Sequence, residues 1–222
     1  MTLAVSRSGA ATVDGPAADC GLCPRLVAYR EENSTTWPDW HNAPVPSFGP
    51  INARLLIVGL APGVKGANRT GRPFTGDYAG DLLYQTLGKF SFANGKYDRR
   101  PDDGLVLDDC RIANGVRCVP PENKPVGAEI NACRPFLVAE IAAMENLEVI
   151  LALGGIAHNT VLSTLGERRA SYKFAHCVMH KLSNGLILAD SYHCSRYNTN
   201  TGRLNEEMFE DVFRMIRETL AG

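Results

Sequence analysis

Short apolar runs alternate along this chain with longer stretches in which apolar residues recur at every third or fourth position. The run at 54–59 is rich in leucine, isoleucine and valine and ends in a glycine, a pattern typical of a buried parallel strand. Similar runs recur at 109–116, 148–153 and 186–191. Four strands separated by helical stretches predict an α/β domain with a mainly parallel central sheet.

Five helices are predicted, and the last one has the clearest pattern. From Leu204 to Leu220 an apolar residue stands at every fourth position, which places one apolar stripe along a helix. A shorter helix begins at Pro24, where proline suits a first turn because its missing N–H would be unpaired there anyway. The predicted helices cover residues 24–33, 77–90, 128–146, 155–166 and 204–220.

The chain of 222 residues has the length of one domain. Its composition, 45% hydrophobic and 21% charged, is that of a folded globular protein. Residues 1–18 are small and polar without a period and predict a flexible tail, which leaves 19–222 as a single domain. The apolar runs fall far short of the roughly 20 residues that a membrane span needs, and no secretory leader is visible, so we expect a cytoplasmic monomer that binds no membrane.

Charge is unevenly distributed along the chain, although the net charge is only −1. That balance excludes a uniformly basic nucleic-acid-binding protein but leaves room for a local basic surface. Residues 54–100 carry eight Lys and Arg against three acidic residues, and residues 168–203 carry six against one. These two segments favour an anionic partner, with chance clustering as the alternative.

A glycine-rich, cationic loop follows the first predicted strand. It begins with Gly59-Leu-Ala-Pro-Gly63, continues to Gly80, and matches neither of the two known phosphate-binding glycine patterns. Within it, Phe74 offers a face for a planar base, and Asp77 offers a carboxylate that can position water or stabilise a developing cation. The structural alternative is that Asp77 only caps the next helix.

Polar residues also follow the second and fourth predicted strands. Asn114 carries an amide whose donor and acceptor suit the edge of a nucleobase, with a plain turn asparagine as the alternative. His193 follows the fourth strand, where an imidazole can stabilise negative charge on a leaving group, although a lone histidine is more often structural. Active residues of parallel sheets lie on loops at the carboxyl ends of the strands, which is where these residues stand.

Seven cysteines in a chain expected to be cytoplasmic argue against disulfides, because the number is odd and reducing conditions keep thiols free. Cys20 and Cys23 have the spacing of a metal-ligand pair, which redox dithiols share. Cys118 and Cys133 are separated by 14 residues that form a proline-rich loop and the start of a helix. The four together suit either an iron–sulfur cluster or zinc, and spacing alone leaves both open.

Taken together, these motifs resemble the uracil-DNA glycosylase superfamily, and specifically its iron–sulfur branches. They occur in the family's order over roughly residues 20–205. The most similar branch is the broad-specificity family five, because family four has a glutamate where Leu60 stands and better-known members have an aspartate where Ala61 stands. The matching segments are 20–23, 59–63, 71–77, 114–121, 133–135 and the loop that begins at His193.

The resemblance implies a fold, a cofactor and a set of site residues. The fold is a three-layer α/β/α sandwich around a central, mainly parallel four-stranded sheet, and the cofactor is a structural [4Fe–4S] cluster on Cys20, Cys23, Cys118 and Cys133. Asp77 becomes the acid nearest the chemistry. Three further roles follow: Asn114 as the reader of the base edge, Phe74 as the stacking platform and His193 as the group that stabilises the departing base. The implied substrate site consists of Gly59, Ala61, Gly63, Phe74, Asn114 and His193.

The implied activity is that of a monofunctional DNA-repair glycosylase, which extrudes a deaminated base from duplex DNA and hydrolyses its N-glycosidic bond. The base is uracil, with hypoxanthine and xanthine as further candidates because the first motif lacks a carboxylate. Arg69 and Arg72 are expected to contact DNA, and Arg196 and Tyr197 are candidates to fill the vacated stack.

Two alternatives come from other functional classes. One is a damaged-DNA-binding module of the same fold that has no catalytic activity. The other is a zinc-stabilised hydrolase that acts on free nucleotides. The chain also departs from the family at its last motif, which has His193-Cys194-Ser195 where His-Pro-Ser is usual.

Overall fold

The computed structural model describes residues 15–222. The first fourteen residues of the predicted tail therefore lie outside the described part of the chain. From residue 15 the chain leads into a turn, in which the backbone N–H of Cys20 donates to the carbonyl of Ala17 at 3.0 Å. This turn brings the first cysteine to the start of the first helix.

Residues 15–222 contain seven strands: β1 (Leu55–Gly59), β2 (Ala93–Asn94), β3 (Val106–Leu107), β4 (Cys110–Asn114), β5 (Val149–Leu153), β6 (Val178–Lys181) and β7 (Ile187–Ser191). Five of them form the central sheet in the order β4-β1-β5-β7-β6, while β2 and β3 form a small antiparallel hairpin. In the central sheet β4, β1, β5 and β7 are parallel, and β6 is antiparallel to β7. The carboxyl ends of the four parallel strands therefore lie along one edge of the sheet.

The four predicted strands are confirmed, and the sheet has a fifth that the prediction omitted. The pattern of β6, Val-Met-His-Lys, has no apolar run and offers little to separate it from a loop. Its strand conformation comes from hydrogen bonding to β7 at the sheet edge, which is a tertiary effect.

In the described part of the chain, seven α-helices accompany the strands: α1 (Pro24–Thr36), α2 (Ala67–Thr70), α3 (Tyr78–Lys89), α4 (Gly127–Ala143), α5 (Gly155–Thr164), α6 (Arg196–Asn200) and α7 (Glu206–Ala221). The five predicted helices correspond to α1, α3, α4, α5 and α7, and the additional α2 and α6 are single short turns. Over residues 15–222, the helices are too short or too polar to cross a bilayer.

Two apolar cores lie on opposite faces of the sheet. On one face, Leu83 of α3 and Phe213 of α7 pack with Leu55 of β1. On the other face, Leu137 of α4 and Val161 of α5 belong to a second buried cluster. Every residue of β1 is buried because helices cover both faces, which is the reason that its sequence is an unbroken apolar run. The three-layer α/β/α fold is thereby confirmed.

Candidate active site

A cavity of about 570 Å³ opens at the carboxyl edge of the sheet. Its walls come from the loops that follow β1, β4 and β7, three segments that are far apart in the sequence but adjacent in the sheet. Gly59 lies beside it, against the lining residues Asn114 and Phe74. The cavity thus brings together the residues predicted for one site: Ala61, Gly63, Phe74, Asp77, Asn114 and His193.

The two carboxylate oxygens of Asp77 make different contacts. Oδ1 accepts a hydrogen bond from the backbone N–H of Gly80 at 3.1 Å and so caps α3. Oδ2 faces Gly63 and Gly66, and a Cβ at Gly66 would overlap it. Burial raises the pKa of Asp77 above its usual range despite the backbone hydrogen bonds, and the charge of Asp81 adds to this effect. The cap and the cavity residue are therefore the same side chain, and its raised pKa makes it a better base toward water.

Asn114 ends β4, directly opposite Gly59 of β1 in the parallel register. Its side chain is buried, and among residues 15–222 its Oδ1 has no hydrogen-bond partner. A buried acceptor without a partner costs free energy, so such an atom at a cavity wall is suited to a donor on a ligand. The carboxamide fits only because position 59 is a glycine, since a Cβ there would overlap Asn114 Oδ1.

Phe74 lies in a strained turn of the glycine-rich loop. Its φ is +53°, in the left-handed region that bulky residues avoid. Hydrogen bonds to the backbone hold this turn: the Tyr84 hydroxyl donates to the carbonyl of Pro73 at 2.6 Å, and the Tyr97 hydroxyl donates to that of Phe74 at 3.3 Å. In this strained backbone conformation the Phe74 ring lines the cavity, and its centroid lies 6.0 Å from that of the His193 imidazole.

His193 follows β7 and points into the cavity. Burial lowers its pKa below the usual range, so the imidazole is neutral at neutral pH and has one N–H that can donate a hydrogen bond. The loop that carries it is fixed, because the Asn198 side chain donates to the carbonyl of His193 at 2.8 Å. Next to it, Ser195 caps α6 and Cys194 is fully buried, so the cysteine in place of proline serves as a small core residue.

Three of the four residues expected at the DNA surface are exposed. Arg69 lies on α2, while Arg196 and Tyr197 open α6 beside the cavity. Tyr197 is 72% exposed, which is the accessibility that a stack-filling residue needs. The guanidinium of Arg196 does not project freely; it lies over the ring of Tyr78 at 5.3 Å.

Arg72 is a correction to the sequence prediction, because it lies inside the protein and not at a DNA-facing surface. Its guanidinium makes two hydrogen bonds of 2.8 Å to the carboxylate of Asp103. It also lies within 6 Å of the centroids of three aromatic rings, those of Phe48, Tyr84 and Tyr97. Only 5% of Arg72 is accessible, so we exclude it from the residues that contact DNA.

The four predicted ligand cysteines surround one small apolar cavity between α1, the loop after β4, and α4. Two hydrogen-bond donors face the sulfurs: the backbone N–H of Arg117 donates to Cys133 Sγ at 3.3 Å, and the Arg30 guanidinium donates to Cys118 Sγ at 3.6 Å. Such donors stabilise thiolates, which are the form that binds metals. Burial raises the pKa of Cys118 to about 11, so a bound cation would have to compensate that cost.

The spacing of these sulfurs bears on the choice between one ion and a cluster. With Zn–S bonds of about 2.3 Å, sulfurs on a tetrahedral zinc lie about 3.8 Å apart. Within the described residues, no three of the cysteine sulfurs lie within 4.8 Å of one another. These are the positions of four free cysteines, and they are compatible with either zinc or an iron–sulfur cluster.

Asn123 is a cavity residue that the sequence prediction missed. It belongs to the loop between Cys118 and Cys133, and its carboxamide oxygen, like Asp77 Oδ2, would lie within 4 Å of a Cβ at Gly63. Glu122 and Asn123 both have positive φ, a strained arrangement for two consecutive residues without glycine. The sequence indicated only a proline-rich segment at this position. The approach of Asn123 to the cavity depends on the tertiary fold.

Comparison with known proteins identifies the family. The family model described as the uracil DNA glycosylase superfamily matches residues 46–217, which include the cavity residues and two of the four cysteines. This chain belongs to the uracil-DNA glycosylase superfamily. The resemblance drawn from the motifs is therefore confirmed.

The relatives also agree with the predicted branch. A type-5 uracil-DNA glycosylase of Thermus thermophilus is 43% identical over 208 residues, which cover 91% of this chain and 94% of that protein. One of Mycobacterium leprae is 43% identical over 212 residues, 91% of this chain and 92% of that protein. A type-4 uracil-DNA glycosylase of Pyrobaculum aerophilum is 33% identical over 151 residues, 68% of this chain and 63% of that protein. The prediction of family five is confirmed.

Proposed function

We propose that this protein removes uracil from DNA by hydrolysing the N-glycosidic bond and leaves an abasic site. One observation carries the proposal: a partly buried carboxylate, an unpartnered buried amide oxygen and a histidine whose pKa is lowered by burial converge on one cavity. These are the groups needed to activate water, to read a base edge and to stabilise a departing base. The names of the type-5 relatives support the same activity.

Base recognition follows from the unpartnered oxygen of Asn114. An acceptor at that position favours a base with an N–H donor, and the amide NH₂ beside it favours a carbonyl. Uracil presents that pair on its Watson–Crick edge, whereas cytosine presents the reverse. Hypoxanthine and xanthine present the same pair as uracil, so we extend the proposed substrates to these two deaminated purines. Guanine shares the pattern, and its stable pairing and stacking in intact duplex oppose its extrusion.

The hydrolytic step uses the remaining two groups. As the N-glycosidic bond breaks, its electron pair moves onto the base, and the neutral His193 stabilises that charge by donating a hydrogen bond. The Asp77 carboxylate accepts a proton from a water whose oxygen forms the new bond to C1′. Phe74 provides the face on which the extruded base lies.

Hydrolysis, and not β-lyase chemistry, is the proposed outcome. Lyase glycosylases need an amine nucleophile that burial makes reactive. Lys65 lies at the cavity rim, but its side chain is exposed. Water is therefore the nucleophile, and a strand break should require a separate treatment of the abasic site.

We further propose that Arg69, Arg196 and Tyr197 contact duplex DNA around the damaged base. The arginines would bind phosphates, and Tyr197 would occupy the space that the flipped base leaves. We also propose that the protein acts as a monomer.

The cysteine site fits a [4Fe–4S] cluster held by Cys20, Cys23, Cys118 and Cys133, and we propose this as the protein's cofactor. When bound, the cluster would supply a structural cross-link and not redox chemistry. Cys118 and Cys133 flank the loop that carries Asn123 to the cavity, so ligation would fix that loop. Iron and sulfide analysis of anaerobically purified protein tests the assignment.

The cysteine experiment has a matched control. Cys118→Ser should lose iron and sulfide, whereas Cys177→Ser should keep both because Cys177 lies on another part of the fold. Stoichiometric zinc without sulfide in the anaerobically purified protein would contradict the cluster and favour the zinc-stabilised alternative.

The activity itself is tested by incubating the protein with a duplex that contains one uracil and measuring free uracil by mass spectrometry. Release from the duplex supports the glycosylase. Binding to damaged duplex without release of any base would instead identify the non-catalytic DNA-binding module.

A further inference from the structure

The loop between β2 and β3 is fastened by ion pairs to the segment that carries the cavity residues Phe74 and Asp77. Its Asp103 accepts two hydrogen bonds of 2.8 Å from the buried Arg72 guanidinium. Its Arg99 donates two, of 2.8 and 2.6 Å, to the carboxylate of Asp81 on α3. The β2–β3 loop is thus anchored at one position before residues 74–77 and at one position after them.

Tyr97, also on the β2–β3 loop, makes two hydrogen bonds to one turn of the glycine-rich loop. Its oxygen accepts the backbone N–H of Gly76 at 3.2 Å, and its O–H donates to the carbonyl of Phe74 at 3.3 Å. The first turn of α3 lies directly behind this bridge, because a Cβ at Gly80 would come within 2.6 Å of the Tyr97 oxygen. With φ at +53°, Phe74 has a conformation that persists only where its surroundings hold it.

The ring and the hydroxyl of Tyr97 are held independently of each other. The ring stacks on that of the buried Tyr84, with 4.6 Å between the two centroids, so its packing does not require the hydroxyl. Burial raises the pKa of Tyr97 to about 12, which keeps the O–H protonated at neutral pH. The proton matters because a phenolate could accept from Gly76 but could not donate to Phe74.

We propose that Tyr97 is a positioning residue for base removal, because its hydroxyl holds the Phe74 ring where the extruded base stacks. This rests on the proposed glycosylase function. Tyr97 does not itself line the cavity, so it acts on the base only through Phe74. If the hydroxyl is removed, the strained Phe74 backbone can relax, and the ring then moves relative to the His193 imidazole on the other side of the base.

Tyr97→Phe tests the proposal because it removes the hydroxyl and keeps the stacked ring. In single-turnover reactions at saturating protein, uracil release should slow about tenfold, a factor within the range that one base–aromatic stacking contact provides. Affinity for an undamaged duplex of the same sequence should be unaltered, since that duplex places no extruded base on Phe74. Tyr172→Phe is the matched control: Tyr172 is also half-buried but packs on the opposite core, and its loss of a hydroxyl should leave the rate unaltered.

A double variant separates positioning from a general weakening of the fold. Phe74→Leu removes the aromatic face, so adding Tyr97→Phe to it should slow uracil release by no more than about twofold. A thermal melt of each variant confirms that the protein is folded at the assay temperature.

Two results would overturn the positioning role of Tyr97. One is an unaltered rate in folded Tyr97→Phe protein, and the other is the same tenfold loss with and without Phe74→Leu. If the unmodified protein releases no uracil, the proposed function fails instead, so the two failures are distinguishable.

Discussion

The carboxamide oxygen of Asn114 occupies the space in which a side chain at Gly59 would begin. The two residues are partners in the parallel register of β1 and β4, and the Phe74 ring closes the same space from the other side. Gly59 thus allows the Asn114 amide and the Phe74 ring to meet beside the cavity. The requirement is steric, because its φ is not in the left-handed region.

Gly59→Ala should abolish most activity while leaving the fold intact. A Cβ at position 59 would come within 2.6 Å of the Phe74 ring and would displace Asn114, and a misplacement of about 1 Å costs about 100-fold in rate. Single-turnover uracil release from a saturated duplex measures the effect. Gly88→Ala is the matched control, because nothing lies within 4 Å of a Cβ there, and this exposed helical change should raise stability by about 0.5–1 kcal/mol without altering the rate.

Asp77→Asn separates the chemical role of Asp77 from its role as a helix cap. Asparagine caps helices as well as aspartate does, so the hydrogen bond to Gly80 and the melting temperature should be retained. The rate should fall by about 10²–10⁴-fold because the base is removed. Single-turnover kinetics and a thermal melt on the same preparation provide the comparison; an unaltered rate would remove Asp77 from the mechanism.

The pH dependence of the reaction rate should reflect the opposite pKa shifts of Asp77 and His193. The pKa of Asp77 is raised, so the rate should begin to fall on the acid side at a higher pH than an ordinary aspartate gives. The pKa of His193 is lowered, so the imidazole is already neutral near pH 7 and the rate should not decline as pH rises above about 6.5. A decline through that range in the wild type would show that His193 acts as a cation. In the Asp77→Asn variant, the fall in rate at low pH should disappear.

The fold could be predicted from the sequence wherever a local pattern fixed it. The unbroken apolar run of β1 predicts a strand that is buried on both faces, and the apolar residue at every fourth position of α7 predicts a helix with one buried face. β6 lacks such a pattern, because its conformation depends on pairing with β7. The same limit explains why the buried position of Arg72 was missed. Its charge suggested a surface position, and no local motif indicates that it pairs with Asp103, which is distant in the sequence.

Arg72→Met should destabilise the protein by about 3–5 kcal/mol, because it leaves the Asp103 carboxylate buried without its partner. The guanidinium holds the pKa of Asp103 well below its usual range, so this stabilisation is complete above the unfolded pKa of about 3.9 and is lost as pH falls below it. Urea unfolding at pH 7 and pH 3 measures both effects. Arg69→Met, at an exposed position, should change stability by no more than about 0.5 kcal/mol.

The same two arginines differ in their expected effect on DNA binding. Arg69→Met should reduce the salt dependence of binding by about one unit of slope, because one phosphate contact is lost. Arg72→Met, measured where it remains folded, should leave that slope unaltered. Equal changes in the two variants would contradict the interior placement of Arg72.

The candidate site could be predicted only in part, because sequence motifs mark loops but not the neighbours that loops acquire. The motifs placed Asp77, Asn114 and His193 at strand ends, and the sheet order brings them together. Nothing local indicated that Asn123 would reach Gly63, or that Arg196 would lie on Tyr78. Asp77 also shows that a structural and a chemical interpretation of one residue can both describe its contacts, since it caps α3 and faces the cavity.

The most direct test of the account is a single-turnover reaction on an end-labelled duplex with one uracil, analysed with and without alkali. Wild-type protein is expected to give strand breaks at the uracil position only after alkali, and Asp77→Asn is expected to give them far more slowly. Breaks without alkali, trapped covalently by borohydride, would contradict hydrolysis by water and point to Lys65. An absence of breaks under both conditions, from protein with its full iron and sulfide content, would contradict the glycosylase itself.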